Sequence, residues 1–184
     1  MKKIIFFICL IAVIASCKKT KELFDIPFSF KTTNDFTLPK IADKEVNVPD
    51  TMLSIKTPEI TNTIPDEFKK NNADIDKLKS ISIESIVLTI KNPPGQTFGF
   101  IKSIKVYMGA TGKPEKLIAT KYDINLITPP PTVLNLTAEN ADIVDYIKGP
   151  TYYLKVETSL VKTYTQDITV SSEIKFKAVA NPLN

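Results

Sequence analysis

Ile81-Ser82-Ile83-Glu84-Ser85-Ile86-Val87-Leu88-Thr89-Ile90-Lys91 is the stretch whose reading decides the fold. Ile86, Leu88 and Ile90 recur at every second residue, the period of a strand with one buried face. Ile81 and Ile83 fall on the opposite parity. One strand keeps both sets inside only by inserting an extra residue, so a β-bulge is expected near Glu84 and Ser85. Asn92-Pro93-Pro94-Gly95 reads as a turn. Ile104, Val106 and Met108 alternate next, with Lys105 and Tyr107 pointing the other way. A loop with Gly109 and Gly112 follows, and the chain returns as a strand over 115–121. These three strands read as a meander.

The same texture extends in both directions. Ile26, Phe28 and Phe30 alternate, and Pro27 among them argues for an edge strand. Phe36 and Leu38, Val46 and Val48, and the run 52–55 continue it, punctuated by prolines 39, 49, 58 and 65. The run 64–78 is different. Pro65 followed by Asp66 and Glu67 suits a helix start, and Ile64, Phe68, Ile75 and Leu78 fit an amphipathic helix broken at Asn71-Asn72. Past Pro129-Pro130-Pro131, 132–136 reads as a strand. Thr137 is placed as the N-cap of a short helix lined by Ile143, Val144 and Ile147, stopped by Gly149-Pro150. The last third alternates again: Tyr152, Leu154 and Val156, then Ile168 and Val170, then Ile174, Phe176 and Ala178. Short strands, proline and glycine punctuation and one or two short helices make this an all-β protein, an immunoglobulin-like antiparallel β-sandwich. The immunoglobulin Cys-Trp-Cys pattern is absent, so this expectation rests on strand count and spacing.

The N-terminus has a different grammar. Lys2 and Lys3 precede an apolar run of 11 residues, 4–14, and then Ile14-Ala15-Ser16-Cys17. The run is too short to cross a hydrocarbon core of about 30 Å as a helix, and its flanks are those of a cleaved export signal. Ile14-Ala15-Ser16-Cys17 resembles the lipobox of bacterial lipoprotein precursors. That resemblance implies a signal peptide over 1–16, acylation of Cys17 and a lipidated tether over 17–22; the strand pattern and length beyond it read as one β-sandwich domain over 23–184. The tether, Lys18 to Glu22, reaches about 17 Å when extended. A diacylated cysteine carries enough methylene groups for stable membrane anchoring. Cys9 would leave with the signal, so the mature chain would hold no free thiol and no disulfide. Its 168 residues suffice for a packed core.

Charge and composition narrow the chemistry. The chain is +4 overall, and removing Lys2 and Lys3 leaves +2. The lysines alternate with apolar residues, as in Ile174-Lys175-Phe176-Lys177, which is the solvated face of a sheet and not a nucleic-acid stripe. There is no histidine and no tryptophan. With Cys9 expected to leave and Cys17 to be acylated, no cysteine is usable either, so Ser-His-Asp and Cys-His catalysis, histidine zinc sites, haem and iron–sulfur ligation are not expected. Asp74 and Asp76, with Asp66, Glu67 and Asn72 nearby, lack the glycine and the oxygen count of a calcium loop; solvated charges around a helix fit them better. A glycosidase-type carboxylate pair needs only to meet in space, and nothing in the sequence favours one. No metal, cofactor or catalytic residue is assigned. Tyr152 and Tyr153 are adjacent, so a strand sends them to opposite faces and exposes one as a candidate ligand contact.

Beyond the lipobox, Phe24-Asp25-Ile26-Pro27-Phe28-Ser29-Phe30, Val87-Leu88-Thr89-Ile90-Lys91-Asn92-Pro93 and Phe98-Gly99-Phe100-Ile101-Lys102-Ser103-Ile104-Lys105-Val106-Tyr107 resemble flavobacterial-type lipoproteins of Bacteroidota. That family carries no established activity. Lys91-Asn92-Pro93, the alternating strand and the glycine loop are also similar to the LEA type-2 domain, which implies a sandwich. In Bacteroidota, surface-exported lipoproteins tend to carry acidic residues after the cysteine. Lys18 and Lys19 occupy those places here, which implies the periplasmic side of the outer membrane, with surface display left open. Asp50-Thr51-Met52 is similar to the O-glycosylation motif of that phylum, with Thr51 as acceptor. The expected role is a non-enzymatic structural or interaction module of the cell envelope; the alternative is an accessory protein that binds a glycan or another ligand. The expected partners are the membrane, through Cys17, and an envelope protein or glycan, not nucleic acid.

Overall fold

A computed structural model describes residues 25–41 and 52–181. Cys17 and Thr51, the lipobox and the alternation at Val46 and Val48 lie outside the described residues. Two four-stranded antiparallel sheets face each other. The first holds β1 (Ile26–Leu38), β9 (Ile168–Ala180), β4 (Leu78–Asn92) and β7 (Val133–Ala138), in that order. The second holds β6 (Lys116–Lys121), β5 (Ile101–Gly109), β8 (Thr151–Leu160) and β2 (Met52–Lys56). β7 and β6 pair briefly, Ala138 with Ala119 and Thr137 with Thr120, and join the sheets along one side. A two-residue strand, β3 (Ile60–Thr61), also pairs with β8.

This is the expected antiparallel β-sandwich with two short helices. Its strand order, 1-9-4-7 against 2-8-5-6, is that of a double-sheet jelly roll. The meander expected over 81–121 is replaced by a crossing. β4 and β5 lie in different sheets, and only β5 and β6 form a hairpin. Phe98 and Phe100, each 1% exposed, explain the crossing, because the 93–100 loop carries them over the end of the core.

β4 behaves as its parity predicts. The register against β9 shifts between Ile83 and Ser85. That shift turns Ile81, Ile83, Ile86 and Leu88 to one face, where all four are buried. β9 supplies the opposite central strand, with Ile168, Val170, Ile174, Phe176 and Ala178 fully buried. β1 pairs with β9 along its whole length as an edge strand, Ile26 opposite Ala180 and Leu38 opposite Ile168. Pro58 interrupts the other edge. Between β2 and β3, Thr57 N–H donates to the Leu154 carbonyl at 2.8 Å, and Thr57 Oγ1 accepts from Leu154 N–H at 3.0 Å. Thr57 thus sustains the ladder with one side-chain bond where proline has no donor.

The helix α1 (Ile64–Lys70) starts at Pro65 and carries Asp66 and Glu67 in its first turn. It ends at Asn71, and Asn72 follows in the left-handed region at φ 55°. Phe68 drops from it against Phe28 edge to face at 4.8 Å, beside Phe30, which stacks on Phe176 at 5.0 Å. A 3-10 turn, Ile75–Lys77, leads into β4, and Asp74 accepts the Asp76 N–H as its cap. The second helix, α2 (Val144–Ile147), is a single turn. Thr137 does not cap it; Thr137 belongs to β7, and Asp142 instead accepts the Val144 N–H at 3.1 Å. Asn62 ties the two helices together: its amide donates to the Ile147 and Gly149 carbonyls while its oxygen accepts from Ile64 N–H.

Candidate functional site

β8 sends Tyr152 and Tyr153 to opposite sides, as adjacent strand residues must go. Tyr152 points into the core and is 2% exposed. Its hydroxyl faces Thr32 and Asn34 of β1, and burial raises its pKa above the ordinary tyrosine value. Enclosed in this way, Tyr152 cannot touch a ligand. Tyr153 stands on the outer face of the second sheet.

That outer face is a connected array of rings and charges. Register places Tyr153 opposite Gly109, and Lys155 between Tyr107 and Lys56. The Tyr153 ring lies directly over the Gly109 backbone: a Cβ built there would sit 2.1 Å from Tyr153 Cζ. On the other side of the ring, Lys56 Nζ stands 3.5 Å from its centroid, a cation–π pair. Tyr153 Oη donates to Glu115 Oε1 at 3.4 Å. Lys155 Nζ bridges Glu115 at 2.8 Å and Glu157 at 2.9 Å, and lies 5.4 Å from the Tyr107 ring.

Two carboxylates around Lys155 push its pKa well above the lysine range. Lys155, hydrogen-bonded to Glu157, holds that carboxyl below the usual carboxylate range. Burial, then Glu157, raises the Tyr107 hydroxyl. At neutral pH the face is therefore a fixed pattern of ammonium and carboxylate groups with phenol hydroxyls between them. It fits recognition of a polar, patterned surface. Beside it, Met52 and Tyr122, 60% and 54% exposed, border a shallow cleft of about 280 Å³ with Lys102, Lys105, Asp123 and Glu157.

Of the two tyrosines singled out from the sequence, the structure brings only Tyr153 to this face. Lys56, Glu115 and Gly109 were not readable as its partners. Lys105, Tyr107, Lys155 and Glu157 share the outward parity of their strands, and that was the available signal. Among the described residues no cluster of three or more acidic side chains is placed to hold a metal ion, and no helix is long and apolar enough to cross a membrane.

No family model and no curated protein matches the chain. Among solved structures it is similar to Desmodium yellow mottle tymovirus, at 7% identity and TM-score 0.34, over 86% of this chain and 91% of that one. It is similar to the decameric BFDV capsid protein at 9% identity and TM-score 0.37, over 85% and 99%. A third likeness is to the infectious bursal disease virus VP2 subviral particle, at 13% identity and TM-score 0.34, over 86% of this chain and 34% of that one. Overlaps this loose bear on no function, and what the chain does is argued from its own residues.

Proposed function

We propose that this protein is a lipid-anchored, non-enzymatic interaction module of the bacterial cell envelope. The observation that carries the reading is the N-terminal run, Lys2 and Lys3, the apolar 4–14, then Ile14-Ala15-Ser16-Cys17. Seven residues, 18–24, separate Cys17 from the first described residue, Asp25. They span at most about 25 Å, so the start of β1 is held near the bilayer. The sandwich then displays the outer face of its second sheet to an envelope partner. Lys18 and Lys19 favour the periplasmic side of the outer membrane.

Fractionation with protease accessibility tests this. The full chain is expected in the outer-membrane fraction, protected from protease until that membrane is opened, while Cys17→Ala is released or accumulates unprocessed. Native protein recovered wholly soluble, with Cys17→Ala behaving identically, would sink the proposal. Digestion from outside intact cells would move the module to the surface.

The alternative, a ligand-binding accessory for a glycan, draws on the outward Tyr153 ring. Specific glycan binding lost in Tyr153→Ala supports it. A partner crosslinked through Lys56 or Lys105 in the absence of glycan binding favours the protein-interaction reading. Intact mass of native protein checks Thr51 for a sugar.

A further inference from the structure

Among the described residues the sandwich ends in two strand edges, β1 and β2, both on the side away from the β6–β7 junction. They differ in kind. β2 is five residues long and is followed at once by Pro58, so it is a short edge that resists further pairing. β1 is 13 residues long, and its register against β9 runs from Ile26 to Leu38 without a bulge. Among the described residues no backbone–backbone hydrogen bond joins β1 to anything but β9. A long, regular edge is a template for another strand. We infer that β1 pairs with β1 of a second copy of this chain, antiparallel and centred on Thr33, so that the first sheets of two sandwiches become one.

The sequence of β1 chooses this partner. On the solvent side it carries Ser29, Lys31, Thr33, Asp35 and Thr37, all exposed. Antiparallel pairing about Thr33 sets Lys31 opposite Asp35 of the second copy, and Asp35 opposite Lys31 of the second copy. Opposite charges directly across a strand pair stabilise it, and like charges destabilise it. Within one copy Lys31 lies opposite Lys175 and reaches sideways to Glu173 at 2.7 Å. Asp35 lies opposite Ser171 and has no ion pair among the described residues. The edge thus holds an unpaired carboxylate four residues from a lysine, and the same edge turned round is its complement. Centring on Thr32 or Asn34 instead would set each of the two charges opposite a hydroxyl. On the inner side the Thr33 register places Phe30 opposite Phe36 and Phe28 opposite Leu38, favourable aromatic and aliphatic pairs.

The pairing also agrees with a membrane anchor. The two-fold axis of an antiparallel strand pair stands normal to the sheet, so the interface is isologous and closes at two copies. Both copies then turn their second sheets the same way, which doubles the face around Tyr153. Ile26 lies seven residues from the axis, about 24 Å at strand rise. Both tethers leave from the shared first sheet, and both can reach one bilayer.

This inference goes beyond the anchor proposal by naming a second copy as a partner, and it does not depend on acylation of Cys17. The test is light scattering and sedimentation of the full protein, extracted from membranes in detergent, from micromolar to millimolar concentration. The parent is expected to form a dimer in that range. Lys31→Asp and Asp35→Lys should each dimerise at least tenfold more weakly, because each sets like charges across the axis twice. Mixed one to one, these two variants should pair with each other, and the double variant Lys31→Asp/Asp35→Lys should again pair with itself. Mixing would not repair a merely structural defect in either variant. Thr33→Cys meets its own copy and should link two chains on oxidation or with a short bismaleimide. Thr37→Cys would lie eight residues of strand from its copy, about 27 Å, and should not. A parent that stays monomeric throughout the range overturns the inference. So does a dimer indifferent to both charge reversals, or one that Thr37→Cys links as readily as Thr33→Cys. A monomer that captures a different membrane protein through this edge also overturns it, and assigns β1 to a foreign strand. Monomeric protein with Cys17 acylated leaves the anchor proposal standing, and a dimer with Cys17 unmodified leaves this inference standing without it.

Discussion

Gly109→Ala perturbs the outer face at its tightest point. Ala in a strand normally gains roughly 0.5–1 kcal/mol over Gly by reducing the entropy of the unfolded chain. Here the new methyl would lie 2.1, 2.4 and 2.5 Å from Cζ, the hydroxyl oxygen and Cε2 of Tyr153. All three of these contacts are with one ring, so the ring must leave. Displacing it breaks the Lys56 cation–π contact, about 0.5–1 kcal/mol at an exposed site, and the bond to Glu115. The clash is with the outer tip of a surface side chain, so re-seating the ring costs less than the about 1–3 kcal/mol of core overpacking. With the cation–π contact and the Glu115 bond lost, net destabilisation of about 0.5–1 kcal/mol is expected. In a Tyr153→Ala background nothing occupies the space, and Gly109→Ala should become neutral or stabilising. The assay is urea denaturation of the four proteins of the cycle. A thermal scan should move by about 2–4 °C per kcal/mol for a chain of this size. Equal destabilisation in both backgrounds would refute the reasoning, since the clash would then lie with something other than Tyr153. So would a neutral Gly109→Ala in the parent.

Three further outcomes follow from the packing and the charges. Phe68→Ala should cost about 3–5 kcal/mol, because Phe68 is fully buried against Phe28 and Phe30; denaturation and amide exchange over α1 check it, and a loss below about 1 kcal/mol would mean the helix is not anchored there. Burial, with the Asp167 carboxylate adding to it, raises the folded pKa of Tyr164, so its contribution is fully present below the unfolded tyrosine value near 10 and is lost as pH rises toward about 12; stability measured from pH 9 to 12 should fall less steeply in Tyr164→Phe. Glu157 has a lowered folded pKa because Lys155 is bonded to it, so that stability is present above the unfolded carboxylate value and disappears as pH falls through the folded one; Lys155→Met should flatten that part of the acid unfolding profile, and an unchanged profile would show the pair to be solvent-screened.

The elements were legible where side-chain parity alone decides. The break between Ile81, Ile83 and Ile86, Leu88 announced the β4 bulge, and Pro65 with Asn71-Asn72 bounded α1. What parity does not contain is which strand lies opposite which. β4 and β5 read as neighbours because a turn-like Pro93-Pro94-Gly95 separates them, yet burial of Phe98 and Phe100 sends the chain across to the other sheet. The same ignorance hid the role of Gly109, which reads as a loop glycine until Tyr153 is placed opposite it. Thr137 has good capping chemistry, but pairing with Thr120 uses it in a strand; Ile143 stands at the N-cap, and Asp142 before it accepts the Val144 N–H. Tyr152 and Tyr153 were separable by parity, since Tyr152 shares the apolar parity of Leu154 and Val156 and is buried with them. Tyr164 gave one faint signal, an aromatic residue inside the polar run Lys162-Thr163-Tyr164-Thr165-Gln166. Its burial depends on Phe100, more than sixty positions earlier.

The central claim is the anchor, and the mass of the mature N-terminus tests it most directly. Native protein, extracted from membranes and digested, should yield an N-terminal peptide that begins at Cys17 and carries the added mass of a diacylglycerol group, with a further acyl chain where the amine is modified. Growth with an alkyne fatty acid should label the parent and not Cys17→Ala. An N-terminal peptide that begins at Met1 or elsewhere, or an unmodified Cys17 in protein that needs no detergent, would contradict the account.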